Sequence, residues 1–412
     1  MIATVMYFLV LTLVLIFAIK RRFSVLSIIV LSIYSLVGFF AILVFKNQLI
    51  DVEGIAVLPF IILLFIYFLF FFPLMQREKR LGTNKIIFKG SIFFYIFCIV
   101  YILCAIVTII LYMPSVLHLV LSGNWSSNRQ DLYLGILNNV YSNRIEFYAI
   151  NFVGYFRTVA VIVGFLFLSN LYSRQSKKKC LFIGYLTILV SILSSVITAL
   201  HSSSRGSLVS LIILVVSVYL FTRKIIAKKR KRIMNISIVV FLLALIPFFI
   251  KITVSRFSDS EAIDSVVRYL GHAPLVFNKN IFNLPDIAFG NYSLGILFNS
   301  TFTEASVGGS WNTLFFTFVG WLWIDWGFVG TIVISVIVSL FMLAVTRKKN
   351  FDVSDIFLII SYFQFLTSGV FVIGRQYAYT LIGNILIFIV FKVISLFDKS
   401  TLANYSFKKS TI

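Results

Sequence analysis

"SILSSVITALHSSSRGSLVSLIILVVSVYLFT", residues 191–222, holds two apolar runs joined by the polar stretch His201–Ser210. An arginine, Arg205, sits in a serine cluster with almost no room for a loop. Apolar runs of about twenty residues read as transmembrane helices. Lipid offers no partner to an open backbone amide, so each run must close its own hydrogen bonds as a helix. A membrane β-barrel would instead need alternating segments of about ten residues. The long unbroken runs exclude that.

The whole chain agrees with this stretch. It has 412 residues, 60% of them hydrophobic and only 12% charged, with a mean hydropathy of +1.03. A soluble domain carries about 25% charged residues. The expected architecture is therefore all-α and polytopic, one transmembrane domain over residues 1–412. Eleven spans are expected, at about 2–19, 23–45, 55–74, 91–113, 148–171, 180–200, 206–222, 233–254, 321–345, 353–372 and 376–396. Two longer connections remain, 114–147 and 255–320. The N-terminus has no basic region before its apolar run and reads as a first span. Cys98, Cys104 and Cys180 lie in or beside spans, and no disulfide is expected.

The formal charge of +22 might suggest nucleic acid, but its placement argues against that partner. Most lysines and arginines fall in alternate gaps, beginning with Lys20, Arg21 and Arg22 and including Lys228–Arg232 and Arg347–Lys349. The positive-inside rule makes those gaps cytoplasmic. The N-terminus then faces outward and the C-terminus inward, in a bacterial plasma or inner membrane. Most carboxylates lie toward the outer side, as do all five tryptophans. Trp311, Trp321, Trp323 and Trp326 approach the ninth span. They read either as an interfacial belt or as a stacking surface for sugar rings.

In this topology His201–Ser210 is a tight outer turn. Arg205 opens a helix, where free N–H groups and the dipole attract anions. Ser202, Ser203 and Ser204 are expected to add hydroxyl donors, and Gly206 leaves the backbone approachable. Arginine grips phosphate oxygens in pairs. The plain alternative is an interface anchor with a serine cap. Other outer cations are Arg256, Arg268, His272 and Lys279 in the long connection, and Arg375 in a second minimal turn. Arg268 and His272, four apart, share a face of a short amphipathic helix expected to lie on the membrane. Arg157 differs, since it lies well inside the fifth span and either lines a cavity or snorkels outward.

Several outer arginines, a histidine and carboxylates suit a lipid whose head is a diphosphate-linked glycan. The arginines would take the charge that develops on the departing diphosphate. His272 or Glu304 would serve as base for an acceptor hydroxyl. Trp311, Trp321 and Asp325 would meet the sugars. His118, His201 and His272 have no metal spacing, and no phosphate-loop or dinucleotide motif occurs. No metal or other cofactor is expected.

Three segments carry a family resemblance. "SSSRGSLVSLIILVV" is similar to the Ser-Arg-Gly opening of a span in the bacterial oligosaccharide repeat-unit polymerases, the Wzy class of O-antigen and capsule polymerases. The long outer connection with Arg256, Arg268 and "HAPLVF" resembles theirs. So does "WNTLFFTFVGWLWIDWGFVG", with Asn312, Thr313, Asp325, Gly327 and Gly330. The resemblance implies a GT-C-like membrane glycosyltransferase. Its substrates would be undecaprenyl-diphosphate-linked glycans as donor and acceptor, joined at the outer leaflet. A flippase and a chain-length regulator are the implied protein partners. Arg205 is the implied diphosphate ligand, followed by Arg268 and Arg375. Some members have glycine eleven residues after an outer arginine, and no outer arginine here does. A ligase sharing the donor, or a transporter of the lipid-linked glycan, are the alternatives.

Overall fold

The architecture is seen in a computed structural model. It describes residues 1–76, 85–86, 88, 92–123, 125, 127–128, 143–169, 177–254, 262–284, 287–290, 317–370 and 376–400. Among them the chain is helical apart from a two-residue parallel ladder between β1 (Lys85–Ile86) and β2 (Asn350–Phe351). The helices in chain order are α1 (Ile2–Lys20), α2 (Val25–Lys46), α3 (Val57–Phe71), α4 (Ile92–Ser122), α5 (Arg144–Phe167) and α6 (Lys177–His201). They continue with α7 (Arg205–Thr222), α8 (Lys228–Val254), α9 (Ala262–Val276), α10 (Phe318–Thr346), α11 (Val353–Ser368) and α12 (Gln376–Ser400). Eight of the described helices are long and apolar enough to cross a membrane. Three apolar stretches, Val57–Phe71, Val353–Ser368 and Ile382–Ser395, are shorter. The protein is an all-α, multi-pass membrane protein.

The chain divides into two compact units. The first holds Met1–Asn84, Thr253–Lys349 and Ser361–Ile382; the second holds Lys85–Ile252, Asn350–Ile360 and Gly383–Ile412. In the first unit α3 is short, and its last carbonyls would lack donors in hydrocarbon. Side chains supply them. Ser339 Oγ donates to Leu69 O at 2.7 Å, Tyr362 OH to Phe70 O at 2.6 Å and Ser24 Oγ to Leu74 O at 2.7 Å.

The expected ninth span is broken. Gly327 has φ +60° and ψ −165°, outside any helix. A side chain is strongly disfavoured there, and a Cβ would also meet Ile287 Cδ1 at 2.6 Å. Residues 318–326 therefore form a separate arm. Phe318 starts it against the later half of α3, with ring centroids 5.6 Å from Tyr67 and 4.8 Å from Phe70. Five residues later Trp323 meets Phe277 and Phe282, and Ile324 O accepts from Ala288 N at 2.9 Å. The neighbouring Asn278 clamps Ala56, just before α3, through both its N–H and its carbonyl. The arm thus climbs from the later half of α3 to its start. After Gly327 the chain reverses, and Ser339 is beside Leu69 again. The sequence reading missed this reversal because the run across Gly327 is uniformly apolar and aromatic.

Two further corrections concern the connections. The 114–147 segment is helical at both ends, since α4 runs through Pro114 to Ser122 and α5 starts at Arg144. Proline normally ends a helix. Here Val116 and Leu119 are buried against Leu200, Leu208 and Trp125, and that packing carries the helix onward. Helix α9 also does more than lie on a membrane surface. Ile263, Asp264 and Arg268 in its first half are exposed, but Ala273 and Leu275 in its last turn are fully buried, as is Phe277 just beyond it. Gly271 allows this, because a Cβ there would stand 2.4 Å from the backbone of Phe40 in α2.

In the second unit α4, α5 and α6 pack together. At the start of α11, Asp352 and Asp355 are buried and both bind Lys392 of α12, at 2.7 and 3.1 Å. Lys392 is thus the counter-ion of this buried pair. It and Ser354 hold the Asp352 carboxyl down to about 2 despite burial.

Candidate functional site

The polar turn in the second unit shows how an arginine fits between two helices. Ser203 adopts φ +46°, the left-handed conformation that closes many helices. Ser204 N donates to Ala199 O and Ser203 N to Leu200 O, both at 2.9 Å. Two orphan carbonyls of α6 are thereby satisfied. Ser204 is at once the cap of α7, its Oγ accepting from Ser207 N at 3.3 Å. One helix stops and the next starts within three residues.

A serine in the left-handed region costs about 1 kcal/mol or more relative to glycine. Asn128 offsets this cost. Its Nδ2 donates to His201 O at 2.7 Å and to Ser203 Oγ at 3.2 Å, in a buried setting. Ser202 Oγ donates to Thr198 O at 2.9 Å. The three hydroxyls expected to face a ligand are therefore engaged in building the turn. Arg205 is the first residue of α7 and half-buried. Gly206 is exposed, and a Cβ there would come no nearer than 4.0 Å to another group.

Two residues join this turn that the functional reading of the sequence passed over. His201 ends α6, and its Nδ1 lies 2.9 Å from Ser115 Oγ of α4. The Tyr112 ring stands 4.7 Å from the imidazole. Trp125 is 2% exposed and lies in the apolar cluster with Leu200 and Leu208. Only the position of His201 in the serine stretch pointed to it. Its partner Ser115 is supplied by the part of α4 beyond Pro114.

Arg157 is in the same unit but elsewhere. It lies near the middle of α5, facing Tyr101 of α4. Tyr101 OH is 3.1 Å from Ser191 Oγ on α6. Ser191 and His201 are ten residues apart on α6, about 15 Å along a helix.

The first unit holds Arg268, His272, Trp321 and Asp325. Arg268 is exposed on α9, whereas His272 is 6% exposed, so the shared face expected of them passes from solvent into the protein. Arg268 O lies 2.7 Å from His272 Nδ1. A carbonyl only accepts, so Nδ1 carries the proton and Nε2 the lone pair. Burial pushes the imidazole below its ordinary value of 6.5. Beyond α9, Lys279 pairs with exposed Asp51 and holds that carboxyl below its ordinary range. Trp321 and Asp325 are 6% and 1% exposed on the 318–326 arm. Both are packed inside the first unit, on the arm that precedes the reversal at Gly327. Arg256, Glu304, Trp311 and Arg375 lie outside the described residues, as do Asn312 and Thr313. Searches against family models, curated proteins and solved structures returned no match to this chain.

Two outcomes follow. Asn128→Ala should destabilise the protein by roughly 1–2 kcal/mol, the scale of a lost buried hydrogen bond. Ser203→Gly in that background should recover most of the loss, read as thermal melting in detergent; no recovery would remove backbone strain from the account. For His272, folding favours the neutral ring, so its contribution is present above 6.5 and falls as pH drops below it. The melting difference between wild type and His272→Gln should shift against wild type on acidification from about pH 7.5 to about pH 5.5. A pH-independent difference would contradict the buried neutral imidazole.

Proposed function

We propose that this protein is a membrane glycosyltransferase that polymerises undecaprenyl-diphosphate-linked repeat units into a surface polysaccharide. The observation that carries the reading is the two-helix turn that holds Arg205 at the start of α7, four residues after His201, which closes α6 and meets Ser115 of α4. The eleven-crossing topology, with the N-terminus and this turn outside, belongs to the same proposal. Its support is the alternation of lysine and arginine along the chain. Flippase and chain-length regulator are the partners of such an enzyme.

The chemistry then runs as a displacement. The acceptor hydroxyl forms a bond to the anomeric carbon of the donor, and the bond from that carbon to the diphosphate breaks. Arg205 takes the charge that grows on the departing diphosphate, aided by the positive end of α7. The hydroxyl proton goes to His201. The tautomer in which Nδ1 donates to Ser115 Oγ, 2.9 Å away, leaves the lone pair on Nε2, as a base requires. No nucleotide is consumed, since the diphosphate bond to the sugar supplies the driving force.

A second reading, transport of the lipid-linked glycan, is favoured by two observations. One is the arginine in the middle of α5; the other is the break at Gly327 in α10. Transporters build sites from interrupted helices and intramembrane charge. A ligase would share the donor and differ in its acceptor.

Glycan length on a gel, in cells lacking this gene and rescued with variants, separates these readings. Arg205→Ala should cut polymerisation about 100-fold or more, the loss typical of a transition-state charge donor, and leave single repeat units. Arg205→Lys should retain part of the ladder. A normal ladder from Arg205→Ala at normal protein level would overturn the assignment. Repeat units trapped on the inner leaflet would instead identify the transporter, and full-length chains left on their carrier the ligase.

A further inference from the structure

An arginine at the centre of a membrane helix has to be balanced by something. Arg157 stands about 20 Å along α5 from Arg144 and about 15 Å from Phe167. Both helix ends are further than an arginine side chain reaches, so snorkelling does not solve its solvation. Its Nε is buried and makes no hydrogen bond among the described residues. No ion pair among them includes it. Among the described residues, Tyr101 of α4 interacts electrostatically with its charge. Three carboxylates of this unit are committed elsewhere. Asp352 and Asp355 bind Lys392, and Glu146 is held by Asn143 at the start of α5.

The surroundings are donors rather than acceptors of charge. Tyr101 OH and Ser191 Oγ share one hydrogen bond in which either atom is the donor, so one further hydroxyl proton remains to be given. Ser194, one turn on, already gives its proton to Ser191 O at 3.2 Å. Arg157 as a whole residue is half-buried. A guanidinium fork with a tyrosine hydroxyl beside it matches an anion with several acceptor oxygens.

We infer that Arg157, with Tyr101 and Ser191, forms an oxyanion site of the phosphate class in the membrane-spanning part of the second unit. It is separate from the Arg205 turn. The roughly 15 Å between their levels on α6 is too far for one diphosphate, whose two phosphates share an oxygen. The site is independent of the glycosyl-transfer reading and would stand if that reading failed. The bound group is either the phosphate of a lipid or free phosphate.

The purified full-length protein in detergent tests this by thermal melting against two probes, a polyprenyl monophosphate and inorganic phosphate. Wild type should be stabilised by at least one. Arg157→Gln should bind that probe on the order of 100-fold more weakly, the scale for removing one partner of a buried charge pair. Arg157→Lys should keep an intermediate affinity. Without probe, Arg157→Gln should melt no lower than wild type, because an uncompensated buried charge has been removed; this separates a binding role from a structural one. Response to the lipid alone assigns a lipid phosphate, and response to both probes assigns a general phosphate site. No response of wild type to either probe, or equal responses from wild type and Arg157→Gln, would overturn the inference.

Discussion

A backbone carbonyl or amide left without a partner in hydrocarbon costs several kcal/mol, and this constraint shapes the whole molecule. Along a helix it is met automatically. It becomes demanding wherever a helix stops inside the protein, and this chain stops several there. The carbonyls at the end of α3 are met by Ser339, Tyr362 and Ser24. Phe318 N, at the start of the 318–326 arm, donates to Gly369 O at 2.7 Å. The end of α6 is closed by the Ser203–Ser204 turn and by Asn128. Scattered serines and tyrosines in an otherwise apolar chain thus have a specific task.

The same constraint positions the candidate chemistry. A turn of three residues cannot wander, so Arg205 is presented at a defined place at the start of α7. His201, four residues earlier, is tied to Ser115 by the extension of α4 past Pro114. The sealing of the backbone and the placing of a cation, an imidazole and a hydroxyl are one construction. Arg157 is the complementary case. No such sealing exists for its charge among the described residues, and the inferred oxyanion would supply it.

Much of this was legible in the sequence. Unbroken apolar runs announce helices, because hydrophobicity is a property of each residue and needs no knowledge of neighbours. Arg205 at a helix start and Arg157 inside a span were equally plain. The remainder depends on contacts distant in sequence. Pro114 looked like a helix end until Val116 and Leu119 found Leu200 and Leu208. Gly327 lies in a run as apolar as its neighbours, and only Ile287 and the left-handed backbone mark the reversal. The serines of the turn looked like ligand donors because their partners, a helix carbonyl for Ser202, Asn128 for Ser203 and Ser207 for Ser204, are invisible in a sequence. The burial of Trp321 and Asp325 was hidden for the same reason as Gly327 was missed.

The outward location of the serine–arginine turn underlies the functional account, and labelling tests it most directly. Ser204→Cys would be introduced after replacing Cys98, Cys104 and Cys180 with alanine, then treated in intact cells with a membrane-impermeant maleimide. The account predicts labelling without permeabilisation. Labelling only after the membrane is opened would put Arg205 on the cytoplasmic side and contradict polymerisation at the outer leaflet.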